Sequence, residues 1–409
     1  MDDELARAFG ERVRFAREGN RQTQAVVAGL SGITTDYLYQ IERGKKLPAL
    51  PVAVELARVL RVPLSTLLGE TAPHGKAVQP LEAGAAIHQA LTWPTPNEIP
   101  LSVTNLYQQV EAAWHTWQNS QRRYSHLGNQ LPSLIIATEH LRRTSSDDPS
   151  VYRPVQPCAA DLYGLVRTVA KRVGRVDLAL LAADRGIAAA NTAADPVRVG
   201  AAHWNLAHVL LAQDQPEGAE AVALRAVEAL APHAGDNLDA LAIQGSLQLL
   251  TAMASVRLGK PWQARDRVRA VVPLARRTGE RNVCWTAFGP VNVAIFAISV
   301  EVEAGDTSEG LRLAERIEPD PSLSIERRVV FHLEQAKGYN QRQDYAGALV
   351  MLQAASIEAP EDIRYRPAAY KALHTVVQRG RGGVARQAAQ LASRIGVPIG
   401  RAALTVNPD

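Results

Sequence analysis

The chain has 409 residues, of which 46% are hydrophobic and only 5% aromatic, and its formal net charge is +4. This length predicts two or more structural units, and the abundance of Ala, Leu and Arg favours a mainly helical protein. The acidic N-terminus lacks the apolar run of a secretion signal, and the most apolar stretch, residues 291–300, is too short to span a bilayer. We therefore expect a cytoplasmic protein with no membrane partner.

Residues 22–50 predict two short helices joined by a tight turn. Thr23 and Thr34 each precede a helix, where a hydroxyl can accept a hydrogen bond from a free backbone N–H. Gly32 supplies the backbone freedom that the turn needs, and Gly44 is expected to end the second helix in the left-handed conformation. Two helices crossing on such a turn form a helix-turn-helix, whose second helix can enter the major groove of DNA.

A spacing more specific than this general pattern runs through the segment, at Thr23-Gln24, Gly32-Ile33, Tyr37-Leu38, Ile41-Glu42-Arg43-Gly44 and Pro48. It resembles the Cro/repressor-type helix-turn-helix of the XRE family. The resemblance covers about residues 9–68 and implies a lambda-repressor-like domain that binds double-stranded DNA. It does not indicate which DNA sequence is bound.

The resemblance also implies DNA contacts, by position, for residues of both helices and of the segment that follows. Gln24 would hold a phosphate or sugar, and Arg43, Lys45 and Lys46 would clamp the DNA backbone. The positions that match base-edge and adjacent phosphate contacts are Thr34, Thr35, Asp36 and Gln40. The helical pattern itself agrees, because one set of side chains lies off the apolar face formed by Ile33, Leu38 and Ile41. This set is Thr35, Asp36, Tyr39, Gln40 and Arg43.

The chemistry of these side chains suits base reading. Gln can pair with adenine through two hydrogen bonds, and Thr can contact the methyl group of thymine. Asp36 leaves two roles open, accepting from a cytosine amino group or capping the helix N-terminus, and we favour the cap. Glu42 is expected to tie the domain together rather than to contact DNA.

The charge of residues 1–70 predicts that one such domain is not enough for tight binding. The segment contains ten Lys or Arg and nine Asp or Glu, a net charge of +1. Because phosphate neutralisation supplies much of the affinity for DNA, a weakly basic domain should need a paired partner. We therefore expect a homodimer on an operator of two half-sites.

The chain divides into a helix-turn-helix domain over residues 1–70, a linker over 71–100 and a helical repeat domain over 101–409. Residues 145–157 are expected to interrupt the helices of the repeat domain. Elsewhere, helix hairpins recur with a period of roughly forty residues, which is typical of an α-solenoid. The predicted pairs are 102–117 with 121–143, 159–172 with 176–190, 196–213 with 216–230, 237–258 with 261–278, 283–304 with 308–317, 323–342 with 345–355, and 363–378 with 383–395.

The hairpin around Leu206 resembles a tetratricopeptide repeat. The residues that match its large and small packing positions are Leu206, Ala207, Leu210, Ala219, Ala223 and Ala226. His203 departs from the repeat, which favours Trp there, and the period is longer than in the repeat. The predicted fold is all-α, with a lambda-repressor-like helix-turn-helix domain and a C-terminal α-solenoid of tetratricopeptide-like hairpins. This architecture resembles bacterial XRE-type regulators with a tetratricopeptide sensor domain.

A solenoid of this kind exposes a concave surface built from the first helix of each hairpin. The candidate effector-binding residues on those helices are His203, Asn205, His208, Gln244, Gln248, Trp285, Phe288, Asn292 and Arg328. An Asn side chain can donate to and accept from a peptide backbone at the same time. In the quorum-sensing regulators of the Rgg/Rap/PlcR type that this architecture resembles, inner-face asparagines have that role. The alternative, that Trp285 and Phe288 are ordinary core residues, stays open.

The remaining motifs favour no catalytic or metal chemistry. Cys158 and Cys284 match no metal-ligand spacing and are expected to be buried thiols. Residues 379–383 lack the order of a phosphate-binding loop, which favours a turn. We therefore predict a regulator of transcription, not an enzyme, with no cofactor and no metal, whose DNA binding responds to a peptide or small-molecule effector. The alternative is a DNA-bound scaffold whose repeats recruit a protein partner.

Overall fold

The computed structural model describes residues 2–20, 22–60, 62, 64–68, 82–93, 102–317 and 323–397. The regular structure of these residues is helical, apart from one isolated bridge between Arg281 and Phe288. The chain forms two compact units, Met1–Ala77 and Val78–Asp409. In the described ranges, no helix combines the length and the apolar character that a membrane crossing requires.

The first unit contains five helices around one apolar core. They are α1 Asp2–Gly19, α2 Gln24–Leu30, α3 Thr35–Glu42, α4 Leu50–Leu60 and α5 Leu64–Leu68. Phe9 and Val13 of α1 are fully buried against Leu38 and Ile41 of α3, and Leu56 of α4 closes the same core. Burial of these side chains holds α3 with one face in the core and the other in solvent.

The ends of α2 and α3 have the capping that the sequence predicts. The Thr23 hydroxyl accepts a hydrogen bond from the backbone N–H of Val26 at 3.3 Å, and that of Thr34 accepts from Tyr37 at 3.1 Å. Gly32 in the turn has φ +66°, and Gly44 after α3 has φ +68°. Both glycines therefore occupy the left-handed region where other residues are strained.

Glu42 ties three helices of this unit together, as the sequence predicts. It is buried and accepts from Arg17 Nε and Nη2 of α1 at 2.6 and 3.0 Å. Gln24 Nε2 of α2 donates to the same carboxylate at 2.7 Å. The orientation of α3 relative to α1 and α2 is thus set by a paired, hydrogen-bonded buried charge.

Gly10 permits the close crossing of α1 over α3. A Cβ atom at this position would lie 2.0 Å from the carbonyl oxygen of Ile41, whereas at Gly29 of α2 it would meet nothing within 4 Å. We expect Gly10→Ala to destabilise the first unit by about 1–2 kcal/mol, despite its gain in helix propensity. Gly29→Ala should leave stability unchanged or raise it by up to about 1 kcal/mol.

Hydrogen exchange of the intact protein, followed over peptides from residues 2–60, measures this difference as the free energy of opening. Equal exchange of the two variants would contradict the proposed close packing of α1 on α3.

The second unit contains the repeat hairpins. Its helices are α6 Glu82–Thr92, α7 Val103–Asn119, α8 Arg123–Thr144, α9 Pro149–Arg172, α10 Val176–Ala193, α11 Pro196–Ala212, α12 Pro216–Ala234, α13 Leu238–Arg257, α14 Pro261–Thr278, α15 Pro290–Ala304, α16 Thr307–Ala314, α17 Ile325–Gln341, α18 Tyr345–Glu358, α19 Pro360–Tyr365, α20 Pro367–Arg379 and α21 Gly383–Arg394. Every predicted hairpin has a counterpart here. The first helices α9, α11, α13, α15, α17 and α20 contact one another in succession and form one layer.

Four segments differ from the prediction. The helix predicted over 363–378 is divided into α19 and α20 at Arg366, where the backbone is extended and Pro367 starts the next helix. Residues 149–157 belong to α9, because Asp148 caps the helix and Pro149 takes a first-turn position that needs no N–H partner. Helix α6 lies inside the predicted linker, but its Ile87 and Leu91 are buried in the core of the second unit. Residues 69–81 and 94–101 of that linker lie outside the described residues. Helix α15 begins at Pro290 rather than at 283, since an irregular loop precedes it.

Helices α7 and α8 connect the start of the repeat unit to its later hairpins. Trp117 Nε1 donates to Glu326 of α17 at 2.9 Å. Arg123, at the start of α8, is fully buried and donates through Nε to Asp362 of α19 at 3.0 Å. The backbone N–H of Tyr124 donates to Glu361 at 2.8 Å. The solenoid is therefore closed by polar bonds between residues more than two hundred positions apart.

Candidate DNA-binding surface and effector groove

The residues predicted to contact DNA lie on the solvent side of α3 and just after it. Thr34, Thr35, Asp36 and Tyr39 are exposed, and Gln40 is half-buried. The basic residues Arg43, Lys45 and Lys46, which follow α3, are exposed as well. These residues follow one another along the chain from Thr34 to Lys46. Their side chains lie at the surface, where they are accessible to double-stranded DNA.

Contacts among these side chains fix their orientation. Gln40 Nε2 donates to Asp36 Oδ2 at 2.7 Å, one helical turn away. The Arg43 guanidinium lies 5.6 Å from the ring centroid of Tyr39, and the Lys46 ammonium lies 5.7 Å from that of Tyr37. Asp36 lies in the first turn of α3, where a carboxylate is favourable to the helix N-terminus, while the hydroxyl of Thr34 makes the capping hydrogen bond. Asp36 also holds Gln40.

Gln24 is less available than the family resemblance implies. It is half-buried, and its Nε2 already donates to the buried Glu42. In this conformation the side chain supports α3 from within the domain. A phosphate contact by Gln24 would have to use its remaining N–H, because a phosphate only accepts hydrogen bonds.

In the second unit, α9 and α11 face each other along a line of polar side chains, which we call the inner groove. Four pairs follow one another along α9. Asp161 forms an ion pair with Arg198 at 3.2 Å, and Gly164 faces Asn205. The guanidinium carbon of Arg167 lies 5.2 Å from the ring centroid of Trp204, and Lys171 Nζ lies 3.4 Å from His208 Nδ1. Gly164 leaves space here, since a Cβ atom would lie 3.0 Å from Asn205 Nδ2. Asn205 Oδ1 is buried and accepts no hydrogen bond from the described residues.

A cavity of about 310 Å³ lies at the Asp161 end of the inner groove. It is lined by Tyr107, Cys158, Asp161, Arg198, Cys284 and Trp285, with Val110, Glu111 and Asn282. Trp285 stacks on Trp114 of α7 with ring centroids 5.2 Å apart and planes 4° from parallel. The cavity therefore combines an aromatic wall with the Asp161–Arg198 ion pair, a composition suited to an organic ligand.

The loop that supplies Trp285 has a strained backbone. Cys284, Trp285 and Ala287 have φ values of 45°, 64° and 51°. The loop is closed by two hydrogen bonds of 2.8 Å between Arg281 and Phe288. Strain of this kind persists only where surrounding contacts impose it, and it concentrates at ligand sites and switches.

The two thiols lie beside this cavity. Cys158 is buried and Cys284 is half-buried, and both are free. Burial raises the pKa of each thiol to about 12, so both stay protonated at neutral pH. Among the described residues there is no group of three or more His, Cys, Asp or Glu that could hold a metal ion.

The structure brings together only part of the predicted effector set. Asn205 and His208 line the inner groove, and Trp285 lines its cavity. Asn292 is buried, and its side-chain oxygen accepts a hydrogen bond from Arg327 Nη1 at 2.8 Å. It is therefore not exposed on the surface of the repeat unit. His203 lies on another face of α11, in a separate depression of about 530 Å³ between α10, α11 and α12.

Three of the other predicted effector residues, Phe288, Gln244 and Arg328, pack or bond within the second unit. Phe288 is fully buried against Gly245, which matches the open alternative of a core residue. Gln244 Nε2 donates to the carbonyl of Val227 at 3.3 Å, and Gln248 is half-buried on the same helix. Arg328 donates to Glu358 from Nε and Nη2 at 3.0 and 2.8 Å.

Sequence reasoning missed Arg167 and Lys171. The signal was present, since two basic residues at positions i and i+4 interrupt the apolar run of α9. Residues 379–383, the glycine-rich segment, form the end of α20, the turn at 380–382 and the start of α21.

Comparison with known proteins agrees with the geometry of the first unit. A family model described as "Helix-turn-helix domain" matches residues 8–67. None of the curated proteins compared with the chain matches it significantly.

Several solved structures are distantly similar. PlcR of Bacillus thuringiensis, in complex with the peptide PapR7 and DNA, is 12% identical, with 66% of this chain and 95% of that chain covered and a TM-score of 0.28. Apo ComR from S. Thermophilus is 14% identical, with 66% and 94% covered and a TM-score of 0.21. Apo ComR from Streptococcus vestibularis is 12% identical, with 92% and 100% covered and a TM-score of 0.26. These likenesses are too distant to carry an inference about ligands.

The capped pair α2 and α3 and the exposed polar face of α3 define a helix-turn-helix domain, and a unit of helical hairpins follows it. The N-terminal segment of the chain, residues 8–67, is a domain of the helix-turn-helix family whose model it matches.

Proposed function

We propose that the protein is a homodimeric regulator of transcription whose DNA binding is controlled by an effector in the inner groove. The observation that carries the DNA-reading part is the exposed face of α3, where Asp36 orients Gln40 beside exposed threonines. Each protomer would place α3 in one major groove of an operator with two half-sites.

The effector part rests on three features of the inner groove. A cavity of organic-ligand character lies at one end, a strained loop forms its aromatic wall, and Asn205 Oδ1 is buried without a donor. A ligand that supplied this donor and repacked Trp285 would shift the population of repeat-domain conformations. The effector is a peptide or a small molecule.

Selection of genomic DNA fragments by the purified full-length protein, with and without extract of the producing culture, tests this proposal. We expect an inverted repeat whose recovery changes when extract is added. Sites that do not respond to extract would favour the alternative of a DNA-bound scaffold for a protein partner. Failure to enrich any sequence would contradict the regulator function itself.

The double substitution Lys45→Ala with Lys46→Ala tests the phosphate contacts. Both side chains are exposed directly after α3, so we expect weaker binding to every DNA. Because each phosphate contact releases about one counterion, the slope of log affinity against log salt should fall by about one per lysine. Titrations at several salt concentrations measure this slope. An unchanged slope would remove the two lysines from the DNA interface.

A further inference from the structure

Arg167, on the inner groove, is a buried cation without a carboxylate partner. Only 4% of the residue is exposed, and its Nε and Nη2 make no hydrogen bond within the described part of the chain. Its guanidinium carbon lies 5.2 Å from the ring centroid of Trp204. A buried guanidinium with unused donors is costly, and such donors are suited to carboxylate and phosphate oxygens.

Two further basic residues, Lys171 and His208, lie close together on the inner groove. Lys171 is one helical turn further along α9, and its Nζ lies 3.4 Å from Nδ1 of His208. Burial, followed by the charges of Arg172 and Arg167, lowers the pKa of Lys171 well below its usual value. Burial and then the charge of Lys171 lower the pKa of His208 in the same way. Burial therefore disfavours the charged forms of Lys171 and His208, and a bound anion would favour them.

The nearby carboxylates are committed to other partners. Glu326 accepts from Arg172 at 2.8 Å and from Trp117 at 2.9 Å. Asp362 accepts from Arg123 and Tyr124, and it also forms an ion pair with Arg366 at 3.0 Å. Burial raises the pKa of Glu334, the next carboxyl along α17, which favours its neutral form. The charge of Glu326 raises the pKa of both Arg167 and Lys171, but burial outweighs it at each group. Among the described residues, the hydrogen bonds of Glu326 come from Arg172 and Trp117 rather than from Arg167 or Lys171.

From this arrangement we propose that Arg167, Lys171 and His208 form an oxyanion site that binds a carboxylate or phosphate group of the effector. The inference rests on the proposed function and deepens it, since it assigns a chemical class to one end of the ligand. The anion would accept hydrogen bonds from Arg167 Nε and Nη2 and from Lys171 Nζ. The rest of the ligand would extend along the inner groove past Asn205 towards the cavity beside Trp285.

Thermal unfolding of the full-length protein, titrated with inorganic phosphate or with acetate against chloride at equal ionic strength, tests the site. We expect a saturable rise in the melting temperature with at least one of the two oxyanions and none with chloride. The arm that saturates at the lower concentration distinguishes a phosphate site from a carboxylate site. A response that does not saturate, or that chloride reproduces, would overturn the proposal.

The variant Arg167→Met keeps the length of the side chain but removes its charge. We expect it to bind the oxyanion at least about ten-fold more weakly and, without anion, to melt at the same or a higher temperature, because an unpaired buried charge is lost. Arg269→Met, which removes an exposed cation on α14, is the matched control and should bind as the wild type does. Oxyanion binding by Arg167→Met equal to that of the wild type would overturn the assignment.

Lys171→Met keeps the proposal testable if Arg167→Met does not fold, since it should show the same ten-fold loss. DNA binding separates this inference from the proposed function. If the wild type shows no saturable oxyanion binding but its DNA binding still responds to extract, the oxyanion site fails and the regulator function stands. If the wild type binds an oxyanion saturably but its DNA binding does not respond to extract, the oxyanion site stands and effector control of DNA binding fails.

Discussion

Arg123→Ala is expected to lower the free energy of unfolding of the repeat unit by about 3–5 kcal/mol. Arg123 and Asp362 are both fully buried, and their ion pair joins α8 to α19 across more than two hundred residues of sequence. Truncation of Arg123 leaves the Asp362 carboxylate in the core with only Tyr124 and Arg366 beside it. Because Asp362 would lose one of its two buried cationic partners and the hydrogen bonds that come with it, the contact between α8 and α19 should weaken.

Tryptophan fluorescence during urea unfolding measures this effect selectively. The six Trp of the chain all lie in the second unit, so the signal does not report on the helix-turn-helix domain. Arg122→Ala, which truncates the exposed neighbour, is the matched control and should change stability by less than about 0.5 kcal/mol. Similar stabilities of the two variants would contradict a closure held by Arg123 and Asp362.

Gln40→Ala should weaken binding to the selected operator by about 1–3 kcal/mol and leave binding to random DNA unchanged. Gln40 lies on the solvent side of α3, and its bond to Asp36 leaves one N–H and the carbonyl oxygen free for a base edge. Because the side chain is neutral, its loss leaves the net charge of the DNA-facing surface unchanged. Parallel titrations of operator and random duplex at one salt concentration measure the difference.

Asp36→Ala supplies the control for orientation. It frees Gln40 and removes a negative charge from the DNA-facing surface, so random DNA should bind more tightly while the preference for the operator falls. Equal losses on operator and random DNA for Gln40→Ala would mean that Gln40 does not read bases.

The helix-turn-helix domain was largely predictable because its signals are local. Thr23 and Thr34 cap their helices within three residues, and Gly32 and Gly44 take conformations that few other residues tolerate. The hairpins of the repeat unit were predictable for the same reason, since apolar periodicity and short turns mark each helix. Asp36 lies in the first turn of α3 as expected, but its hydrogen bond from Gln40 was not predicted.

The inner groove was less predictable because it depends on contacts between distant helices. Asn205 and His208 were identified from their position on a first helix, but His203 on the same helix faces a different depression. The loop around Trp285 read as helix, because no local pattern reveals that stacking on Trp114 imposes positive φ angles. The sequence analysis did not single out Arg167, whose burial depends on the packing of α9 on α11.

Operator affinity of wild type, Asn205→Leu and His203→Leu, each measured with and without culture extract, tests effector control through the inner groove most directly. Asn205→Leu replaces a buried oxygen that has no donor by an apolar group of similar shape, so the fold should persist. We predict that extract changes the operator affinity of wild type and His203→Leu by about 5- to 150-fold and leaves that of Asn205→Leu unchanged. A full response in Asn205→Leu would contradict the account.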